Sequence, residues 1–158
     1  MKDKILIGRC DYADFPELGL KKIGVKVDTG AYTSSLYCSK IEPLNVDGKK
    51  AIKCTILDFD VPGSSQKVFT EFTQKSISSS TGNPELRYVI QTAIVLFGEK
   101  YSVELSLAGR RERRFPILLG RKLLNHHFIV DPARRNLSAK GKRKSVRIEK
   151  SSPKGKKK

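Results

Sequence analysis

Short runs of β-branched, aliphatic and aromatic residues recur along most of the chain, separated by clusters of Pro, Gly, Asp, Asn and Ser. Runs of this kind, bounded by turn residues, are typical of β-strands. In Tyr101–Leu107 apolar and polar residues alternate strictly, which predicts a strand with one face in solvent. The other predicted strands are Lys4–Gly8, Lys21–Val27, Lys50–Phe59, Lys67–Thr73, Arg87–Phe97 and Phe115–Leu119.

Two turn signals predict hairpins between these strands. One is F-G-E-K at Phe97–Lys100, and the other is Asp58–Gln66, with Pro62-Gly63 at its tip. Helix signals are scarce, and only Arg121–His127, directly after Gly120, is long enough for two turns. We therefore predict an all-β fold, a closed or strongly curled β-barrel that protects its edges, with one short helix after Gly120.

The positive charge of the chain is concentrated at its carboxyl end. Residues 134–158 hold 12 Lys and Arg and one acid, Glu149, and therefore carry +11 of the net +16. Because this segment has few apolar residues, we expect one domain over residues 1–137 and a disordered polybasic tail over residues 138–158. Such a tail could contact RNA or the ribosome weakly through its charge, could attract an anionic surface or a polyacidic substrate, or could only improve solubility.

The sequence also indicates the cellular compartment in which the protein is expected. The three cysteines, Cys10, Cys38 and Cys54, cannot all pair with one another and show no C-x-x-C spacing, which favours reduced thiols. No run approaches the roughly 18 apolar residues of a membrane span. The amino terminus has only Ile5–Ile7 as an apolar run, far short of a signal peptide. We expect a soluble cytoplasmic protein without a membrane partner.

The candidate chemistry lies in the tripeptide Asp28-Thr29-Gly30, which follows the strand-like alternation of Val25 and Val27. At a strand end a turn can direct a carboxylate along the sheet edge, and Gly30 permits a backbone approach that a Cβ would block. A surface turn stabilised by the aspartate itself is the alternative interpretation. Far downstream, P-I-L-L-G-R-K-L-L supplies a second strand that ends at Gly120.

A D-T-G-A loop followed far downstream by apolar-apolar-Gly-Arg-x-Leu-Leu resembles the retropepsin-like aspartic peptidases (acid proteases). It is most similar to the bacterial group labelled ATP-dependent zinc proteases. Three further stretches are similar to that group: P-E-L-G-L at Pro16–Leu20, R-Y-V-I-Q-T at Arg87–Thr92 and F-I-V-D-P at Phe128–Pro132. The resemblance covers about residues 5–137. It implies a closed, retropepsin-like β fold with the D-T-G loop packed beside the Leu118–Gly120 strand.

The resemblance also implies site residues. Asp28 would be the catalytic carboxylate, Thr29 would lock the loop to its counterpart through its hydroxyl, and Gly30 and Ala31 would turn N–H groups toward the acid. The residues expected to support the active site are Ala31, Leu118, Leu119, Gly120 and Arg121.

Two departures from the family pattern bear on substrate binding. The glycine-rich flap of viral retropepsins is absent, which leaves the Pro62-Gly63 turn or the Ser78–Asn83 loop as the cover. Tyr32 stands where this group often has arginine, so substrate preference is expected to differ.

Aspartic peptidase chemistry needs two carboxylates that share one proton. The sequence contains no second D-[ST]-G, because Asp47-Gly48 and Asp131-Pro132 lack the pattern. The simplest solution is a homodimer in which a two-fold axis relates two copies of Asp28.

A metal or nucleotide cofactor is not expected. The two histidines, His126 and His127, are adjacent and outside any H-E-x-x-H motif, so a zinc site would need distant cysteines. No G-x-x-x-x-G-K-[ST] motif occurs, and Gly19–Lys26 resembles it only in composition. ATP dependence, if present, would belong to a partner.

The run G-R-R-E-R-R-F is either a solvated loop or a carboxylate-binding cluster for substrate. Its arginines are Arg110, Arg111, Arg113 and Arg114. The residues alone favour the solvated loop. The resemblance supplies the reason to keep the second interpretation, because the group is associated with ATP-grasp ligases that add glutamate. The predicted function is an aspartic endopeptidase for acidic or glutamate-rich peptides or proteins. The alternatives are a noncatalytic retropepsin-like module tethered to RNA or the ribosome, and a metal-dependent hydrolase.

Overall fold

The computed structural model describes residues 3–56, 65–78, 82–109 and 115–148. The first strands are β1 (Asp3–Ile7), β2 (Cys10–Phe15), β3 (Leu20–Val27), β4 (Ser34–Val46), β5 (Lys49–Ile56) and β6 (Ser65–Phe69). They are followed by β7 (Thr73–Ser78), β8 (Pro84–Leu96), β9 (Glu99–Ala108), β10 (Ile117–Leu119), β11 (Phe128–Val130) and β12 (Ser145–Arg147). Helix α1 spans Arg121–His127, as predicted, and a single 3₁₀ turn spans Pro16–Leu18.

Nine strands form one strongly curled sheet. Its order is β10-β3-β2-β8-β9-β4-β5-β6, and β7 pairs with β8 outside this path. Strand β10 also pairs with β4, so the pairings from β10 through β3, β2, β8, β9 and β4 return to their starting point. The predicted all-β fold with one short helix is confirmed.

The core lies inside this curled sheet. The apolar face predicted for β9 lies in the core, where Tyr101, Val103, Leu105 and Leu107 are all buried. Burial of such side chains contributes roughly 1.5–3 kcal/mol each. Ser106, on the face predicted to be in solvent, is buried as well. No helix in the described part of the chain is long and apolar enough to cross a membrane.

The two strands of each predicted hairpin are present and pair antiparallel. In the β8–β9 hairpin, Leu96 pairs with Glu99, and both turn residues, Phe97 (φ 53°) and Gly98 (φ 74°), have the positive φ that favours a tight two-residue connection. Strands β5 and β6 also pair antiparallel. The tip predicted for their hairpin, Pro62-Gly63, lies outside the described residues.

The prediction missed strands whose sequences are rich in polar residues. Strand β2 contains Asp11 and Asp14, and both carboxylates accept hydrogen bonds from backbone N–H groups. Strand β4 begins with Ser34 and Ser35, yet Ser34 is buried. The polar residues concealed these strands, because the hydrogen-bond partners that allow them inside the fold are in part distant in the sequence.

The expectation of a disordered tail beyond Leu137 differs from the structure over residues 138–148. Strand β12 pairs antiparallel with β1 in a second sheet of order β11-β1-β12, with Val146 opposite Lys4. Before it, Ser138 and Ala139 donate their N–H groups to the Asp11 carboxylate at 2.8 and 3.1 Å. Backbone hydrogen bonding thus orders a segment that has too few apolar residues to fold by burial.

Candidate active site

The D-T-G loop leaves the sheet beside the end of β10. Strands β3 and β10 run parallel, with Val27 opposite Leu119, so the residues that follow both strands lie at the same edge of the sheet. The pairing continues into the loop, because the Asp28 N–H donates to the Leu119 carbonyl at 2.9 Å. The structure thus brings together the two motifs on which the family resemblance depends.

Within the loop, the carboxylate of Asp28 is held by its own turn. The Gly30 N–H donates to Asp28 Oδ1 at 3.0 Å, and a Cβ added at Gly30 would lie 3.3 Å from that oxygen. The Ala31 N–H donates instead to the backbone carbonyl of Asp28, at 3.2 Å. The expectation that both amides face the carboxylate is therefore wrong for Ala31, because its N–H closes the turn.

The first residues of α1 hold the other side of the loop. The N–H groups of Arg121 and Lys122 donate to the carbonyls of Ala31 and Tyr32 at 2.8 and 2.9 Å. Gly120 makes this contact possible, since a Cβ there would lie 2.6 Å from the Tyr32 carbonyl oxygen. The site thus needs glycine before the helix for a steric reason.

The Arg121 side chain lies across the same loop. Its Nη1 donates to the Thr29 carbonyl at 3.0 Å, and its guanidinium carbon lies 5.8 Å from the centre of the Tyr32 ring. That distance is within the range of a cation–π contact. Tyr32 is 54% exposed, so it is an accessible aromatic surface next to Asp28.

A buried serine that sequence reasoning missed completes the junction. Ser34 Oγ accepts a hydrogen bond from the Gly120 N–H at 2.9 Å, and the Ser34 carbonyl accepts one from the Ser106 hydroxyl at 3.3 Å. The run of small polar residues after Ala31 was its only signal in the sequence.

The remaining predicted residues are placed as follows. Leu119 is buried and Leu118 is partly buried in β10, where both support the loop. Asp28 is partly buried, whereas Thr29 and Gly30 are exposed at the surface of the single chain. The role of the Thr29 hydroxyl against a counterpart loop stays a prediction. The four arginines, Arg110, Arg111, Arg113 and Arg114, lie outside the described residues, as do residues 79–81 of the proposed cover loop.

The potential metal ligands are dispersed. Across residues 3–56, 65–78, 82–109 and 115–148, no three His, Cys, Asp or Glu side chains come together in a group able to hold an ion. Cys38 and Cys54 are buried in β4 and β5, and the hydrogen bond with Cys54, together with burial, raises the pKa of the Cys38 thiol. Cys10 contacts Asn136 elsewhere.

Known proteins similar to this chain include curated relatives from several bacteria. Proteins named "Probable alpha-L-glutamate ligase" from Shewanella pealeana and Desulfotalea psychrophila are each 33% identical to it, over 136 and 134 residues. These alignments cover 83% and 82% of this chain but only 29% and 28% of the relatives. The chain thus spans less than a third of their length.

A solved structure shares the fold. The crystal structure of a Legionella pneumophila protein of unknown function superposes with a TM-score of 0.64 at 22% identity, covering 84% of this chain and 97% of that one. The likeness supports the architecture and says nothing about activity.

The family model described as "Retropepsin-like aspartic endopeptidase RimB" matches residues 6–151, which is most of the chain and includes both the D-T-G loop and the Gly120 junction. The resemblance to retropepsin-like peptidases inferred from those motifs is confirmed. The chain belongs to the RimB-like family of retropepsin-like aspartic endopeptidases.

Proposed function

We propose that this protein is an aspartic endopeptidase whose active site forms when two copies of the chain bring their Asp28 carboxylates together. The observation that supports this proposal is the geometry of Asp28. Its backbone is fixed by Leu119, and one carboxylate oxygen is fixed by Gly30. Within the described residues, the other oxygen, Oδ2, has no hydrogen-bond or ion-pair partner. A partly exposed carboxylate with one oxygen bound by its own loop can use its other oxygen to exchange a proton with a bound water.

The proposed reaction needs a second carboxylate. One carboxylate takes a proton from a bound water while the other, protonated, polarises the scissile carbonyl. Two such groups close together cannot both ionise, so they titrate as a pair. Because Asp28 lies in the only D-[ST]-G of the sequence, a second copy of this chain is the simplest source of the partner.

We further propose that the substrate is a peptide or protein with an acidic, glutamate-rich segment. Two observations support this choice. The relatives named for alpha-L-glutamate ligation contain a region similar to this chain, and the chain itself carries a net charge of +16. Attraction between a basic enzyme and an acidic peptide would accelerate binding and would weaken as salt rises. The arginines of residues 110–114 would contribute carboxylate contacts in this proposal.

The experiment compares two synthetic peptides that differ only in ending in six glutamates or six glutamines, with cleavage followed by mass spectrometry. We expect faster cleavage of the glutamate peptide, a smaller preference in high salt, and loss of cleavage in Asp28→Asn. Asp47→Asn is the matched control, because Asp47 has positive φ (51°) in an exposed turn, where asparagine is well tolerated. Equal cleavage by wild type and Asp28→Asn would contradict the proposed chemistry.

A second function, binding of RNA by a noncatalytic module, is favoured by the exposed lysines Lys140, Lys142 and Lys144. Because no aromatic side chain accompanies them between residues 134 and 158, such binding would depend mainly on phosphate contacts. Fluorescence anisotropy with a single-stranded RNA would detect it. The Asp28→Asn variant should bind RNA as wild type does, whereas replacing the three lysines with glutamine should weaken binding.

A further inference from the structure

A carboxylate outside the D-T-G loop is connected to that loop through helix α1. Glu104 lies in the middle of β9, and its side chain is only 7% exposed. Its Oε1 accepts hydrogen bonds from Lys122 Nζ at 3.0 Å and from Gln91 Nε2 at 2.8 Å. Lys75 Nζ donates to both oxygens, at 3.0 and 2.9 Å. One carboxylate therefore joins α1, β7 and β8.

Lys122 is the residue that extends this network to the candidate active site. Its side chain pairs with Glu104, while its backbone N–H donates to the Tyr32 carbonyl at 2.9 Å. The preceding residue, Arg121, holds Ala31 and Thr29. A displacement of the first turn of α1 would therefore move the loop that carries Asp28.

Beyond its hydrogen bonds to the D-T-G loop and to Ser34, the start of α1 has little packing on the side that faces β9. The helix packs mainly on β1, β4 and β11, with Leu123 and Leu124 buried. Between α1 and β9 lies a cavity of about 220 Å³, lined in part by Gln91, Glu104 and Lys122. Because a cavity supplies no packing, the Glu104–Lys122 pair is a direct link between β9 and the start of the helix.

We propose that Glu104 is a positioning residue for the D-T-G loop and acts through Lys122. The charge of Glu104 fixes the Lys122 side chain, which fixes the first turn of α1 and, through its amides, the backbone of residues 29–32. Lys75 pairs with the same carboxylate from β7, and within the described part of the chain it makes no hydrogen bond to residues 28–32 or to α1. The two lysines therefore form a matched pair, in which one transmits position to the loop and the other does not.

The test is hydrogen exchange of the Arg121 and Lys122 amides, which donate directly to the loop. In Lys122→Met and Glu104→Gln we expect these amides to exchange about fivefold faster than in wild type, in line with loss of a partly screened ion pair. Lys75→Met should leave them near the wild-type rate. Equal changes in Lys122→Met and Lys75→Met, or no change in Glu104→Gln, would overturn the proposal.

The catalytic consequence of this positioning rests on the proposed peptidase function, whereas the exchange measurement does not. If the peptidase is real, Lys122→Met should lower kcat on the glutamate peptide with little change in KM, and Lys75→Met should leave both unchanged. A similar loss of kcat in both variants would contradict a role transmitted through Lys122.

If wild type cleaves nothing, the peptidase proposal fails, and the exchange rates still decide the positioning role. If Glu104→Gln fails to fold, Lys122→Met still tests the positioning role, because it removes the ion pair and leaves Glu104 in place.

Discussion

Two aspartates, one on β2 and one just after the neighbouring strand β3, have opposite hydrogen-bond environments. Asp11 on β2 is 1% exposed, and its two oxygens accept three backbone N–H groups, from Tyr12, Ser138 and Ala139. Asp28, just beyond β3, is partly exposed, and among the described residues its side chain accepts a hydrogen bond from the Gly30 N–H alone. A fully satisfied buried carboxylate holds chain segments together, whereas one with a vacant acceptor at the surface can take part in a reaction.

The largest expected effect comes from removing the ionisable group of Asp28. Asp28→Asn should lower kcat/KM on the glutamate peptide at least about 100-fold, because a general acid–base contributes 10²–10⁴-fold. Its thermal midpoint should stay close to that of wild type, because asparagine preserves the shape and the Gly30 hydrogen bond. A large loss of stability with activity retained would reverse the roles assigned to the two aspartates.

The corresponding change at the structural aspartate should have the opposite signature. Asp11→Asn places an NH₂ group among backbone N–H donors, so we expect the free energy of unfolding to fall by about 1–3 kcal/mol. Urea denaturation would measure this loss, and the Ser138 and Ala139 amides should lose protection from hydrogen exchange. Unchanged protection at these amides would show that Asp11 does not anchor the carboxyl-terminal segment.

A third carboxylate, Glu104, extends the comparison because two of its three side-chain partners, Lys75 and Lys122, are cations. Burial, the largest single influence, opposes ionisation, but the hydrogen bonds from Lys75, Lys122 and Gln91 together lower the pKa of Glu104 from its ordinary value of 4.5. The folded pKa is thus below the unfolded one, so this stabilisation is present above the unfolded pKa and is lost as pH falls through the lowered folded value.

We expect the stability difference between wild type and Glu104→Gln to be about 1 kcal/mol near neutral pH and to shrink in this acidic window. His126 and His127 line the same cavity, so the comparison is made at each pH between the two proteins rather than along pH in one. Urea midpoints at several pH values provide the measurement. A difference that is constant from neutral pH down through the lowered pKa would exclude a charge-dependent role for Glu104.

The sequence contained good local signals for part of this architecture. The alternation in Tyr101–Leu107, the glycine before Arg121 and the D-T-G tripeptide each depend on a few adjacent residues, and strand β9, helix α1 and the turn at Asp28 were predicted from them. The parallel pairing of β3 and β10 was anticipated only through the family resemblance, because Val27 and Leu119 are distant in sequence.

What the sequence hid are contacts between distant polar groups. Asp11 reaches Ser138 across 127 residues, and Ser34 reaches Gly120 across 86 residues, so neither partner is visible locally. Without the Asp11 contacts, the segment after Leu137 reads as a disordered tail, although residues 145–147 form β12. Polar residues in a strand or tail are ambiguous until their hydrogen-bond partners are known.

The central claim, that two Asp28 carboxylates from two chains form one active site, is tested most directly by mixing chains. Asp28→Asn protein is added to a fixed amount of wild type under dimer-forming conditions, and cleavage of the glutamate peptide is measured after exchange of subunits. If both copies are needed, an equal amount of the variant should reduce activity to about half, because half of the wild-type chains then sit in mixed dimers. Activity that stays constant as Asp28→Asn is added would contradict the shared site.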